Sequence, residues 1–183
     1  KITTVRAEIA ARNPDAQRSS SAIVLQGKCL ELVRVALDGR ELAAGEYSID
    51  ADEMVIFSCP QQCLISTEVR IRPQENTALD GLYPSGDFLL TQCEAEGFRK
   101  ITYFPDRPDV MTRYDVTLIA NRAQFPVLLS NGNAVDSGEH EDGRHWVRWV
   151  DPFRKPSYLF ALVAGDLDFL EDHFTTRSGR KVS

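Results

Sequence analysis

Apolar and polar positions alternate with a period of two through much of the 183-residue chain. Val5, Ala7, Ile9 and Ala11 alternate with charged or polar neighbours. The same pattern returns at Val33, Val35 and Leu37, at Ile65, Thr67, Val69 and Ile71, and at Val116, Leu118 and Ala120. Successive side chains of a strand point to opposite faces, so each set predicts a half-buried strand. Two continuous apolar runs, "EMVIFS" at 53–58 and "YLFALVA" at 158–164, predict strands buried on both faces.

Turn chemistry punctuates these runs. "LDGRE" at 37–41 carries Asp38-Gly39, a pair suited to the positive φ of a tight hairpin. "YPSG" at 83–86 fits a type I turn, "SNGN" at 130–133 is the strongest hairpin signal, and "EDGR" at 141–144 is another. No window sustains a long 3.6-residue period. Helix is expected only as short turns near 93–98 and 106–113, the latter within "DRPDVMTRY" with Pro108 in its first turn. Many short strands with regular turns predict an all-β fold of several antiparallel sheets, β-sandwich-like, with short helical turns. There is no linker, low-complexity tract or internal repeat, so residues 1–183 are expected to form a single domain.

Composition narrows the function. No apolar run approaches the roughly 20 residues of a membrane-spanning helix, and nothing near Lys1 reads as a signal peptide. The net charge is −6, and no Lys/Arg cluster offers a nucleic acid the basic surface it needs. No membrane or nucleic-acid partner is expected. An acidic protein favours a positively charged partner such as an amine. Cys29, Cys59, Cys63 and Cys93 lack the spacing and nearby histidines of a zinc site. They are read as four reduced thiols of a cytoplasmic protein, with Cys29 and Cys93 as small buried hydrophobes in strand-like runs.

The usual catalytic signatures are missing: no HExxH pair, no phosphate-binding glycine loop, no GxSxG elbow. His140, His145 and His173 are scattered and are assigned surface or packing roles. "RHWVRWV" at 144–150 interleaves aromatic and basic residues, but Trp146 and Trp149 fall on opposite faces of a strand, and core packing is the reading. One pair remains. Gln92 and Glu94 share a face if their strand continues, with Cys93 facing the other way. A carboxylate beside an amide can hold an ammonium group, Glu94 supplying charge and Gln92 an oriented acceptor. The bland alternative is a solvated strand end.

The stretch "GLYPSGDFLLTQCEAEGFRKITYFPDRPDV" at 81–110 closely resembles the N-terminal domain of the bacterial aminopeptidase N family, alanyl aminopeptidases among the gluzincin zinc metallopeptidases. The resemblance continues through "PVLLSNGN", "GRHWVRWVDPFRKPSYLFALVAGDLD" and "FTTRSGR". It is strong over 76–180, and rests on strand pattern and position over 1–75. It implies a saddle-shaped β domain that precedes a thermolysin-like catalytic domain. The zinc ligands, the general-base glutamate and the G-x-M-E-N motif belong to that catalytic domain and are absent here. In the family's TQ-x-E/Q motif the last residue helps to anchor the substrate α-amine, and the glutamine lines the pocket for the first side chain. Those positions map onto Glu94 and Gln92.

The expectation is therefore a non-catalytic domain trimmed at both ends. It has no catalytic residue, no metal ligand and no cofactor of its own; zinc is a property of the parent enzyme. Its partners are the N-terminus of a peptide substrate and its own catalytic domain, and the isolated chain should be inactive. The alternative is a free-standing β-sandwich binding or interaction module.

Overall fold

The computed structural model describes residues 2–13 and 20–182, and these are 57% strand and 5% helical. The helical share consists of 3-10 turns at Pro73–Glu75, Phe98–Lys100 and Ser157–Leu159. No helix among the described residues is long and apolar enough to cross a membrane.

The first sheet has the order β1 (Thr3–Arg12), β7 (Gln62–Ile71), β3 (Glu31–Leu37), β4 (Arg40–Glu41). A second, of order β2 (Ser20–Gln26), β6 (Glu53–Pro60), β5 (Tyr47–Asp50), buries its apolar face against the same core. Leu25, Met54, Ile56, Ile65 and Val69 are completely enclosed between them. Each such side chain contributes about 1.5–3 kcal/mol relative to an exposed one. The alternation along β1 and β7 is as the sequence predicts, paired from Thr3 opposite Ile71 to Arg12 opposite Gln62.

Two further sheets form the second half. One has the order β11 (Val127–Ser130), β14 (Leu162–Gly165), β9 (Phe88–Gln92), β8 (Gly81–Ser85). The other is β10 (Thr112–Asn121), β13 (Arg144–Lys155), β12 (Asn133–Glu139). A smaller core of Phe125, Leu128 and Ala164 lies here, with Leu118, Ala120 and Val147 packed against it. Leu89 on β9 and Leu162 on β14 touch both cores, so these strands form the junction. A hairpin, β15 (Phe174–Thr175) with β16 (Lys181–Val182), stands apart from the four sheets.

Several sequence expectations shift by local physics. Val33 is exposed, because the register slips between Leu32 and Arg34 and leaves it as the extra residue of a β-bulge. The 53–58 run is covered on one face only. Met54 and Ile56 are buried, while Phe57 and Ser58 together oppose the single Ala22 of β2 and face outward. In 158–164 only Leu162 onward is strand. The preceding 3-10 turn is capped by Asn131, whose Oδ1 accepts from Ala161 N at 2.7 Å and whose Nδ2 donates to Leu159 O at 3.1 Å.

The turn expected at 83–86 lies further on, at Gly86-Asp87, with Gly86 at φ +58° and Ser85 opposite Phe88. Pro84 remains within β8, an edge strand, where a missing N–H costs no ladder bond. Asp38-Gly39 and Gly143 close true hairpins. Asn131-Gly132 instead carries the chain from one sheet to another, and a Cβ on Gly132 would lie 2.3 Å from the Val150 carbonyl oxygen. At 106–113 the expected helical turn shrinks to a single turn, in which Val110 N donates to the Arg107 carbonyl at 3.1 Å. Pro108 disfavours a helical Arg107, and β10 has begun by Thr112.

Cys29 corrects a further expectation. It is exposed in the turn between β2 and β3 at φ +57°, whereas Cys59, Cys63 and Cys93 are buried. Burial, aided by neighbouring Cys63, pushes the Cys59 thiol up to about 12. Burial does the same to Cys93, again to about 12, with Asp106 adding to it. Only a thiolate attacks a disulfide reagent. At pH 8 one thiol of the folded chain, Cys29, should react promptly, and the rest only in denaturant. Rapid modification of two or more thiols in the folded chain would contradict this burial pattern.

Candidate functional site

The candidate residues sit where β9 ends. Gly81 and Gln92 are the last pair of the β8–β9 ladder, so β9 stops at Gln92. Glu94 therefore joins Gln92 by a turn and not by strand alternation, which corrects the sequence expectation. Both side chains are exposed, and Cys93 between them is buried. The Gln92 amide Nε2 donates to the Glu94 carbonyl at 3.1 Å, leaving Oε1 as its acceptor atom. The peptide between Glu94 and Ala95 is cis.

The turn closes through Gly97, whose N–H donates to the Cys93 carbonyl at 2.9 Å. A Cβ on Gly97 would lie 2.1 Å from the Gln92 carbonyl oxygen and 2.8 Å from Gly81 N, so only glycine lets the turn lie back on the strand ends. Beyond it Phe98 plunges into the main core. Its ring meets Phe104 and Phe160 edge-on at 5.1 Å and Tyr114 at 5.9 Å. The Tyr114 hydroxyl is buried with no hydrogen-bond partner among the described residues, and burial, with Cys93 and Asp106 nearby, pushes its pKa up.

The polar side of the same segment converges on Asp106, whose side chain is 1% exposed. Asp106 Oδ2 accepts from Arg99 Nε at 2.9 Å and from Arg99 N at 3.2 Å. Its Oδ1 accepts from the Ser157 hydroxyl, and its carbonyl accepts from Arg99 Nη2 at 3.0 Å. Arg99 Nη1 also reaches Glu96 Oε2 at 3.2 Å, and Lys100 pairs with Asp80. Asp109 is held by Arg107 at 2.8 Å, which keeps its carboxyl below the usual range. Four carboxylates lie between residues 92 and 110, and Glu96, Asp106 and Asp109 each have an arginine. Glu94 has no ion pair among the described residues.

A model of the peptidase M1 N-terminal domain matches residues 6–159 of the chain. The chain belongs to that family. The aminopeptidase N of Caulobacter vibrioides is 56% identical over 181 residues, 99% of this chain but 21% of that protein. The aminopeptidase N of Escherichia coli is 52% identical over 165 residues, 90% of this chain and 19% of its own length. The chain thus spans about a fifth of these relatives. Aminopeptidase A of Legionella pneumophila, solved in complex with aspartic acid, superposes with a TM-score of 0.90 at 37% identity, over 99% of this chain and 21% of that one. An M1 zinc metallopeptidase of Deinococcus radiodurans shares the fold at a TM-score of 0.79 and 13% identity, over 99% of this chain and 42% of its own.

Among the described residues no three of His, Cys, Asp and Glu are grouped to hold a metal ion. Zinc does not fit these residues. His145 is buried, its Nε2 2.7 Å from the Phe125 carbonyl oxygen, and Trp149 Nε1 donates to the Leu128 carbonyl at 3.1 Å. Both pack the second half of the fold.

Arg99 and Asp106 are the residues that sequence reasoning missed. Their signal was a run of alternating charge in "FRKITYFPDRPD", which reads equally well as a solvated loop. Replacing Arg99 with Ala strands the buried Asp106 carboxylate and should cost about 3–5 kcal/mol in urea unfolding. Glu96→Gln breaks only a surface pair, with Glu96 70% exposed, and should fall within about 0.5 kcal/mol of wild type. Equal losses for the two variants would contradict this division.

Proposed function

We propose that the chain acts as the single, non-catalytic N-terminal domain of a zinc-dependent aminopeptidase that removes N-terminal amino acids from peptides. Glu94 receives the substrate α-ammonium group, and Gln92 lines the pocket for the first side chain. The observation that carries this reading is the Glu94 carboxylate, exposed and without a cation beside an oriented amide, in a segment whose other carboxylates are paired.

An aminopeptidase must measure the distance from a free amine to the first peptide bond. A carboxylate does so well, because charge-assisted hydrogen bonds to an ammonium are short and about twice as strong as neutral ones. Glu94 and Gln92 would hold and orient the substrate. Bond-breaking, and the zinc that supports it, are assigned to the enzyme beyond this chain, so the chain alone should hydrolyse no aminoacyl anilide. Exposed Phe153, Phe169, Leu170 and Phe174 support packing against further protein, since exposed apolar side chains gain from being covered. We infer a cytoplasmic setting, in which four cysteines outside any disulfide, as they stand among the described residues, stay reduced.

In the full-length enzyme, Glu94→Ala should lower kcat/KM on aminoacyl anilides by about 1.5–3 kcal/mol, with zinc content unchanged. Gln92→Ala should alter the ranking of N-terminal side chains more than it weakens binding of the amine. A Glu94→Ala enzyme within about 0.5 kcal/mol of wild type would return Glu94 to an ordinary surface carboxylate.

A further inference from the structure

The turn that bears Glu94 leaves the sheet at Gln92, and no strand follows until Thr112. A carboxylate on such a turn would wander unless something other than a ladder fixed it. Phe98 supplies an apolar anchor, but a ring in a cluster of rings does not by itself dictate how the backbone beside it is oriented. The bonds from Gly97 N to the Cys93 carbonyl and from Gln92 Nε2 to the Glu94 carbonyl close the turn locally. The backbone bridge of Phe104 to Gln26 holds the chain beyond it, and the polar node ties the two together. Asp106 N donates to Gln26 Oε1 at 2.9 Å, and Lys28 N donates to the Arg99 carbonyl at 2.8 Å. Through Arg99 and Ser157 the same carboxylate grips the 3-10 turn at 98–100 and the segment that leads into β14. β14 is the ladder partner of β9. The base of the turn is thus tied at once to β2, to the loop after it, and to the neighbour of the strand that carries Gln92.

We propose that Asp106 is the positioning residue for substrate binding, acting through Arg99 to fix the 94–97 turn and so the place of the Glu94 carboxylate; this rests on the reading of Glu94 as the amine anchor. A buried carboxylate is satisfied only when its donors arrive together, so the alternatives in which Arg99 swings out are costly. The arginine then acts a second time. Its Nη1 pairs with Glu96, two residues from Glu94, and so offsets the charge of the carboxylate nearest to Glu94 along the chain. A displaced anchor matters because a misplacement of about 1 Å can cost about a hundredfold in rate. Asp106 performs no chemistry and touches no substrate.

The test is a double-mutant cycle in the full-length enzyme, measured on L-alanine 4-nitroanilide well below the unfolding temperature. Asp106→Asn should lower kcat/KM about tenfold when Glu94 is present. In the Glu94→Ala background the same substitution should change it by less than about twofold, because residues acting through one another are not additive. Ser157→Ala removes one neutral donor and keeps the ion pair, so it tests the idea if Asp106→Asn does not fold. It should show a smaller loss, about threefold, that likewise vanishes without Glu94. A loss that persists undiminished in the Glu94→Ala background makes Asp106 a structural residue only and overturns the proposal. Wild-type kcat/KM in both single variants also overturns it. If Glu94→Ala itself behaves as wild type, the amine reading has failed, and the positioning role falls with it.

Discussion

The Asp106 carboxylate is a charge that the fold cannot release. With 1% of its side chain exposed, it depends on Arg99 and Ser157 for the donors that water would otherwise give. Removing one partner of such a pair leaves an uncompensated buried charge, which costs far more than the pair itself contributes. The segment from Cys93 to Met111 therefore has a defined path, although it contains no strand and meets a sheet only where Phe104 bridges Gln26 at the end of β2. Phe98, Tyr103 and Phe104 cover the main core along the same path, so the polar node and the aromatic cluster fix it together.

That path sets the electrostatics at the end of β9. The basic side chains near the turn are already engaged, Arg99 by Asp106 and Glu96 and Lys100 by Asp80. What remains is one negative group, Glu94, next to an amide whose orientation is set by its own bond to the turn. The contrast between Glu94 and its paired neighbours, more than the acidity of the whole chain, is what suits this surface to a cation. Under the function proposed above, that cation is the N-terminal amine of a peptide.

Much of the fold is legible in the sequence because period-two patterning records burial directly. β1, β7 and β10 follow it residue by residue. It fails where the backbone departs from ideal pairing. The bulge at Val33 inverts the exposure that alternation predicts, the bulge at Phe57-Ser58 turns outward residues of a run read as buried on both faces, and no residue type marks either in advance. The apolar run at 158–164 contains a 3-10 turn because Asn131, nearly thirty positions earlier, caps it. Gln92 and Glu94 could be picked out because amide-beside-carboxylate is a local chemical pattern. Asp106, Gln26 and Ser157 could not, because what makes them matter is burial and meeting across the fold, and neither is written in neighbouring residues.

The most direct measurement is a crystal structure of the full-length enzyme with a free L-amino acid, the product of the reaction, bound at its centre. The ammonium nitrogen should lie about 2.7–2.9 Å from a Glu94 carboxylate oxygen, the range for a charge-assisted bond. Arg99 should still span Asp106 and Glu96. An ammonium held by other carboxylates, with Glu94 turned to solvent, would contradict the assignment of this domain as the reader of the substrate amine.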